Sequence, residues 1–225
     1  MIAARGIRWA SSALLLLTLA LGLALEWVPD DADQGFSQRI FYLHVPVALT
    51  AYGCFAVAGW KALRLLATGS ERYDVESAVA VHIGTIFGAL TLLTGSIWAR
   101  ISWGVWWTWS ENQLVLFLVI FLFYSAYFML RQSVPAGVAR ARMSAVFALL
   151  GIVLIPISFL AIRLAANFIH PVVFTRHGPQ MAGPMLVAFA LSLAGMTALA
   201  IALYHFEVGG KLLDRRLRDL REVIA

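Results

Sequence analysis

The chain has a single cysteine, Cys54. No internal disulfide can form, and no C-x-x-C-H stretch is present to hold a prosthetic group by thioether bonds. Charge is also scarce, at 13% of residues. No G-x-x-x-x-G-K run occurs, so the chain carries no phosphate-cradling loop of that type. Alternation of polar and apolar residues is missing from the long apolar runs, which excludes the strand pattern of a membrane barrel. Internal repeats and low-complexity tracts are absent as well.

Apolar residues fill the space these absences leave, at 61% of the chain. A soluble domain of 225 residues could not hide that much apolar surface. A bilayer span needs about 20 mainly apolar residues. Six runs satisfy that length: Trp9–Val28, Phe41–Leu66, Ala78–Ala99, Leu114–Leu130, Met143–Ala166 and Met181–Phe206. Backbone groups in hydrocarbon must be paired within their own segment, so these runs are predicted as helices. The expected fold is an all-α integral membrane protein of six transmembrane helices. The first run follows Arg5 and Arg8, as a signal peptide would. It is long, and no clear small-x-small site precedes Glu26, so it reads as a retained helix.

The net charge of +5 follows the membrane and gives no reason to expect nucleic acid. With both termini cytoplasmic, only Arg39, Arg100, Arg163 and Arg176 of the 17 Lys and Arg fall outside. The positive-inside rule then fixes that orientation. The reading divides the chain into a six-helix domain, 1–208, and a basic tail, 209–225. In the tail Leu213, Leu217, Leu220 and Ile224 recur at helical spacing opposite Arg215, Arg216, Arg218 and Arg221. That pattern fits an amphipathic helix on the inner lipid surface, or equally a partner-binding tail.

Five of the eight tryptophans lie in the twelve residues Trp98–Trp109, WARISWGVWWTW. The expected loop is 98–110, at the extracytoplasmic surface. One or two Trp there would read as an interfacial belt. Trp103, Trp106, Trp107 and Trp109 together would need something to cover them: a protein, lipid, or a flat apolar ligand. Ser110 is the expected N-cap of the following helix, with Glu111 at the positive end of its dipole.

His44 lies just inside the same surface, five residues after Arg39 and two before Pro46. Alone it reads either as an interfacial histidine hydrogen-bonded to a neighbour or as a ligand. His170 precedes Pro171 in the last outer loop, 167–180, which keeps it out of the helical region and able to point inward. His177 looks like an exposed turn residue. His82 reads either as a polar packing residue or as part of a ligand path, and His205 sits at a similar depth near the inner side. Gly84, Gly88 and Gly95 should let helix three approach its neighbours. The stretch holding Arg64, Glu71, Arg72, Asp74 and Glu76 reads as a solvated connector, and Pro156 as a bend in helix five.

Four clustered tryptophans, two histidines and Arg39, Arg100, Arg163 and Arg176 thus share one face. A flat, apolar dianion with a metal centre would suit them, and haem fits that description. Imidazole nitrogens can take its iron, Arg its propionates, and Trp its macrocycle.

Trp103-Gly104-Val105-Trp106-Trp107-Thr108-Trp109 resembles the WGxWWxW core of the tryptophan-rich cytochrome c assembly membrane proteins. Thr94-Gly95-Ser96-Ile97-Trp98 and Arg39-Ile40-Phe41-Tyr42-Leu43-His44-Val45-Pro46 look like that superfamily too. In span number and length the chain is similar to the CcmC family. The resemblance covers nearly the whole chain. It implies a bacterial inner-membrane protein that holds haem b transiently and without covalent attachment, with its site facing the periplasm. His44 and His170 would be the iron ligands, and Arg39 would lie at a propionate. The partners implied are a CcmE-like periplasmic haem chaperone, the CcmA–CcmB transporter and a CcmD-like small subunit. Such a chain delivers haem and need not be an enzyme. One departure from the pattern is that Trp109 runs straight into Ser110-Glu111-Asn112, where the family motif continues with Asp and a short further stretch.

Three other functions compete. A haem-attachment synthase of the CcsA type would be expected to have more helices and a large partner domain. A b-type electron-transfer cytochrome would use His82 and His205 as its pair. A structural transporter subunit would use the Trp loop only to dock a partner.

Overall fold

The structure is a computed structural model, and it describes residues 2–31, 34–164, 174–175, 178–179 and 181–224. Helix α1 spans Ile2–Glu26 and a 3-10 helix spans Phe36–Ile40. Then come α2 (Phe41–Thr68), α3 (Glu71–Trp103), α4 (Asn112–Ser133), α5 (Val138–Leu164) and α6 (Gly183–Ile224). Between α5 and α6, β1 (Phe174–Thr175) pairs antiparallel with β2 (Gly178–Pro179), with Thr175 opposite Gly178.

Six helices are long and apolar enough to cross a bilayer. They present large side chains outward all round: Leu14, Leu19, Leu63, Leu93, Leu122 and Leu150 are all exposed. In water these surfaces would aggregate, whereas lipid covers them at no cost.

Helix α2 is the centre of the bundle and packs against α3, α5 and α6; α4 packs mainly on α5, and α1 mainly on α6. The stacked pair Phe55 and Tyr124, with centroids 3.8 Å apart, fills the middle. Close approach depends on the glycines of α3. A Cβ at Gly84 would lie 2.6 Å from the Phe55 ring, and one at Gly88 would lie 3.2 Å from Phe121. The packing role expected for these glycines is observed. Gly69 and Gly104 end α2 and α3 at positive φ, +67° and +75°, where a side chain would be strained.

Several boundaries differ from the expected ones. Helix α3 begins at Glu71, seven residues before the apolar run, because its first turns are held by ion pairs. Of the supposed solvated connector, Arg64 belongs to α2, and Glu71, Arg72, Asp74 and Glu76 form the first turns of α3. Asp74 and Glu76 are only 5% and 3% exposed. Arg131 of α4 grips Asp74 with both terminal nitrogens, at 2.6 and 3.0 Å. Lys61 and Arg72 meet Glu76 at 2.8 and 2.7 Å. At its other end α3 runs on through Trp103, so only residues 104–111 leave helical geometry there. Ser110 is not the N-cap of α4. That position belongs to Glu111, and Ser110 bonds Thr108 instead. Finally, α6 passes through Gly209-Gly210 without a break, so the basic tail is a continuation of the last span.

Candidate functional site

Helices α2 and α3 run antiparallel, so the start of α2 meets the end of α3. The end of α1 and the start of α6 join them, in a cluster of Ala24, Val28, Phe41, Tyr42, Trp98, Ala188 and Phe189. This is the Trp end of the bundle.

His44 sits in the first turn of α2, and Pro46, the sixth residue, lies inside the helix two positions on. The imidazole is buried, 7% exposed. Its Nδ1 lies 2.9 Å from the Thr94 hydroxyl of α3. The ring stands edge-on to Trp98, with centroids 5.7 Å apart. A Cβ at Gly95 would lie 2.8 Å from its Cε1, so α3 offers a glycine where the ring comes closest.

Trp98 is set apart from the rest of its cluster. It is buried, and its indole N–H donates to Gln34 at 2.9 Å. It supports His44 and the loop after α1, whereas the motif alone places it among the surface tryptophans. Trp103 is half-buried at the last turn of α3. Trp107 and Trp109 meet edge to face at 5.7 Å. The buried Nε1 of Trp107 finds no acceptor among the described residues. Trp106 and Trp109 remain 60% and 72% exposed. The cluster therefore divides into one internal support, two partly covered rings and two uncovered ones.

Two of the four arginines expected on this face, Arg39 and Arg100, cap helix ends. Arg39 donates from Nε to the Ala24 carbonyl at 2.8 Å and from Nη2 to Val28 at 3.3 Å, and pairs with Asp30. The Ala24 carbonyl belongs to the last turn of α1, where cations are favoured, and that of Val28 lies just beyond it. Arg100 donates to the Gly104 carbonyl at the end of its own helix.

At the opposite end, Nδ1 of His82 pairs with Glu207 at 2.8 Å, and Lys211 holds the same carboxylate at 2.7 Å. His82 therefore joins Glu207 and Lys211 in a polar network, where a polar packing residue was expected. His205 stands edge-on to Tyr204. Of the remaining expected residues, His170, Arg176 and His177 lie outside the described residues, and Arg163 lies in α5 with its side chain outside them.

Sequence reasoning did not single out Thr94 or Gln34. Thr94 could have been found from its spacing: it precedes Trp98 by four residues and so shares its helix face. Gln34 carries no comparable signal, because its contact with Trp98 is long-range.

Residues 1–223 match the family model described as heme exporter protein C. The chain is 30% identical to the heme exporter protein C of Bradyrhizobium diazoefficiens, over 97% of this chain and 83% of that protein. It is 29% identical to that of Paracoccus denitrificans, over 85% and 80%. With the Escherichia coli K12 protein of the same description it shares 31% identity over 66% of this chain and 60% of that protein.

Proposed function

This chain belongs to the heme exporter protein C family, and on that premise we propose that it holds haem at the Trp end of the bundle and passes it on for c-type cytochrome maturation. The observation that carries the reading is His44: a buried imidazole, oriented by Thr94 and Trp98, at the end where Trp106 and Trp109 leave their faces uncovered.

The donor set fits the cargo. Haem iron takes imidazole nitrogens from above and below its plane. His44 supplies one, and His170, from the connection between α5 and α6, supplies the other. The rings of Trp103, Trp106, Trp107 and Trp109 offer flat apolar faces for the macrocycle, and the unmet indole N–H of Trp107 offers a donor to a carboxylate. Arg39 and Arg100 bring guanidinium groups for the propionates. Arg39 already holds the carboxylate of the exposed Asp30, and a propionate is the same chemistry. This end faces the periplasm of the bacterial inner membrane, where a CcmE-like chaperone receives the haem. The CcmA–CcmB transporter and a CcmD-like subunit work beside it. The chain itself binds, orients and releases, with no bond-making step of its own.

The test is haem per polypeptide in protein purified from membranes. His44→Ala and His170→Ala should each cut it severalfold and abolish c-type cytochrome assembly. His82→Ala and His205→Ala should leave both nearly intact. Full haem content in His44→Ala would end the proposal.

A further inference from the structure

Thr94 lies on the face of α3 that meets His44, one residue before the glycine that admits the ring and four before Trp98. Its Oγ1 is 2.9 Å from His44 Nδ1 and 2.8 Å from the carbonyl oxygen of Leu90. A second carbonyl, that of Thr91, lies 3.3 Å away. A hydroxyl has one proton and two lone pairs, and a carbonyl can only accept. If the Thr94 proton pointed at the imidazole, two oxygen lone pairs would face each other across 2.8 Å. The proton therefore goes to Leu90, and the oxygen accepts from the ring. That places the ring proton on Nδ1 and the lone pair on Nε2, since a neutral imidazole carries a single N–H.

We infer that Thr94 is a positioning residue that fixes His44 in the tautomer able to ligate iron through Nε2. The inference rests on the reading of His44 as a haem ligand. Two further contacts hold the ring for that purpose. Trp98 stands edge-on to it, and Gly95 lets α3 come close enough for Thr94 to reach Nδ1. A hydrogen bond to the distal nitrogen also raises the basicity of a ligating imidazole, which favours ferric over ferrous iron.

The experiment uses the full-length protein purified with its haem, and reads haem per polypeptide and the midpoint potential of the bound haem. Thr94→Val keeps the shape and removes the acceptor. It should weaken haem retention about tenfold, the lower end of what losing such a partner does, and move the midpoint potential positive. Thr94→Ser keeps the oxygen and should restore both toward wild type. Thr94→Ala gives a second acceptor-free variant if the Val form accumulates poorly. Wild-type retention and potential in the Val or Ala form would overturn the inference. So would a Ser form as impaired as Val, since the methyl group would then be what matters. His44→Ala separates the two levels. If it loses haem while Thr94→Val stays normal, only the positioning role falls; if it keeps haem, the ligand reading falls and takes the positioning role with it.

Discussion

At the scale of single residues, the Trp cluster divides by exposure, and the division makes a prediction. Trp98 is enclosed and bonded to Gln34, whereas Trp106 and Trp109 are open. A ring that stacks on a ligand contributes about 0.5–1.5 kcal/mol beyond area burial. Trp106→Ala and Trp109→Ala should each weaken haem retention severalfold while the protein inserts normally, and Phe replacements should keep more than Ala. Haem per polypeptide at matched expression is the measurement. Undiminished haem in the variant with Trp103, Trp106, Trp107 and Trp109 all changed to Ala would leave the segment as an anchor or docking surface. The motif made these residues legible in the sequence. It did not sort them, because burial depends on where α3 ends and on Gln34 arriving from the loop after α1.

At the scale of elements, the apolar runs located the six long helices among the described residues, since a run of about 20 apolar residues has few other destinations. Helix ends were harder to read, because charges that look solvated in sequence are paired in space. Arg131 lies 57 positions from Asp74 in sequence, yet forms a two-pronged bond with it that ties α4 to the first turn of α3. Removing one partner of a buried pair costs about 3–5 kcal/mol, because the other charge is left uncompensated. Asp74→Ala should therefore lower the melting temperature of the detergent-purified protein clearly, and Asp30→Ala, at an exposed carboxylate, should do so far less. Combining Asp74→Ala with Arg131→Leu should cost less than the sum of the single changes. Simple additivity would show that the pair does not couple the two helices.

At the scale of the whole molecule, six spans with both termini on one side make the Trp end and the β1–β2 connection share a face. We propose from the distribution of Lys and Arg that this face lies outside. Cysteines introduced at Ser102 and Thr175 should react with an impermeant thiol reagent on spheroplasts, and one at Ser133 should not. The opposite pattern would overturn the orientation and move the proposed site to the cytoplasm. The count of long apolar runs made the six spans legible before any coordinates. What it could not convey is that α6 continues for 42 residues, about 63 Å at 1.5 Å per residue, against a hydrocarbon core of about 30 Å.

The pairing of α1 with α6 bears on how the protein is made. Ribosomes release the chain from its N-terminus at about 5–20 residues per second. Helix α1 ends at Glu26, and its main partner begins only at Gly183. The first span therefore spends roughly 8–30 s of synthesis without its main partner helix. Its composition suits that wait, with Leu14, Leu15, Leu19, Leu21 and Leu25 still facing outward after assembly. Of these six spans the earliest made is among the last to be packed, and closure of this bundle falls to α6.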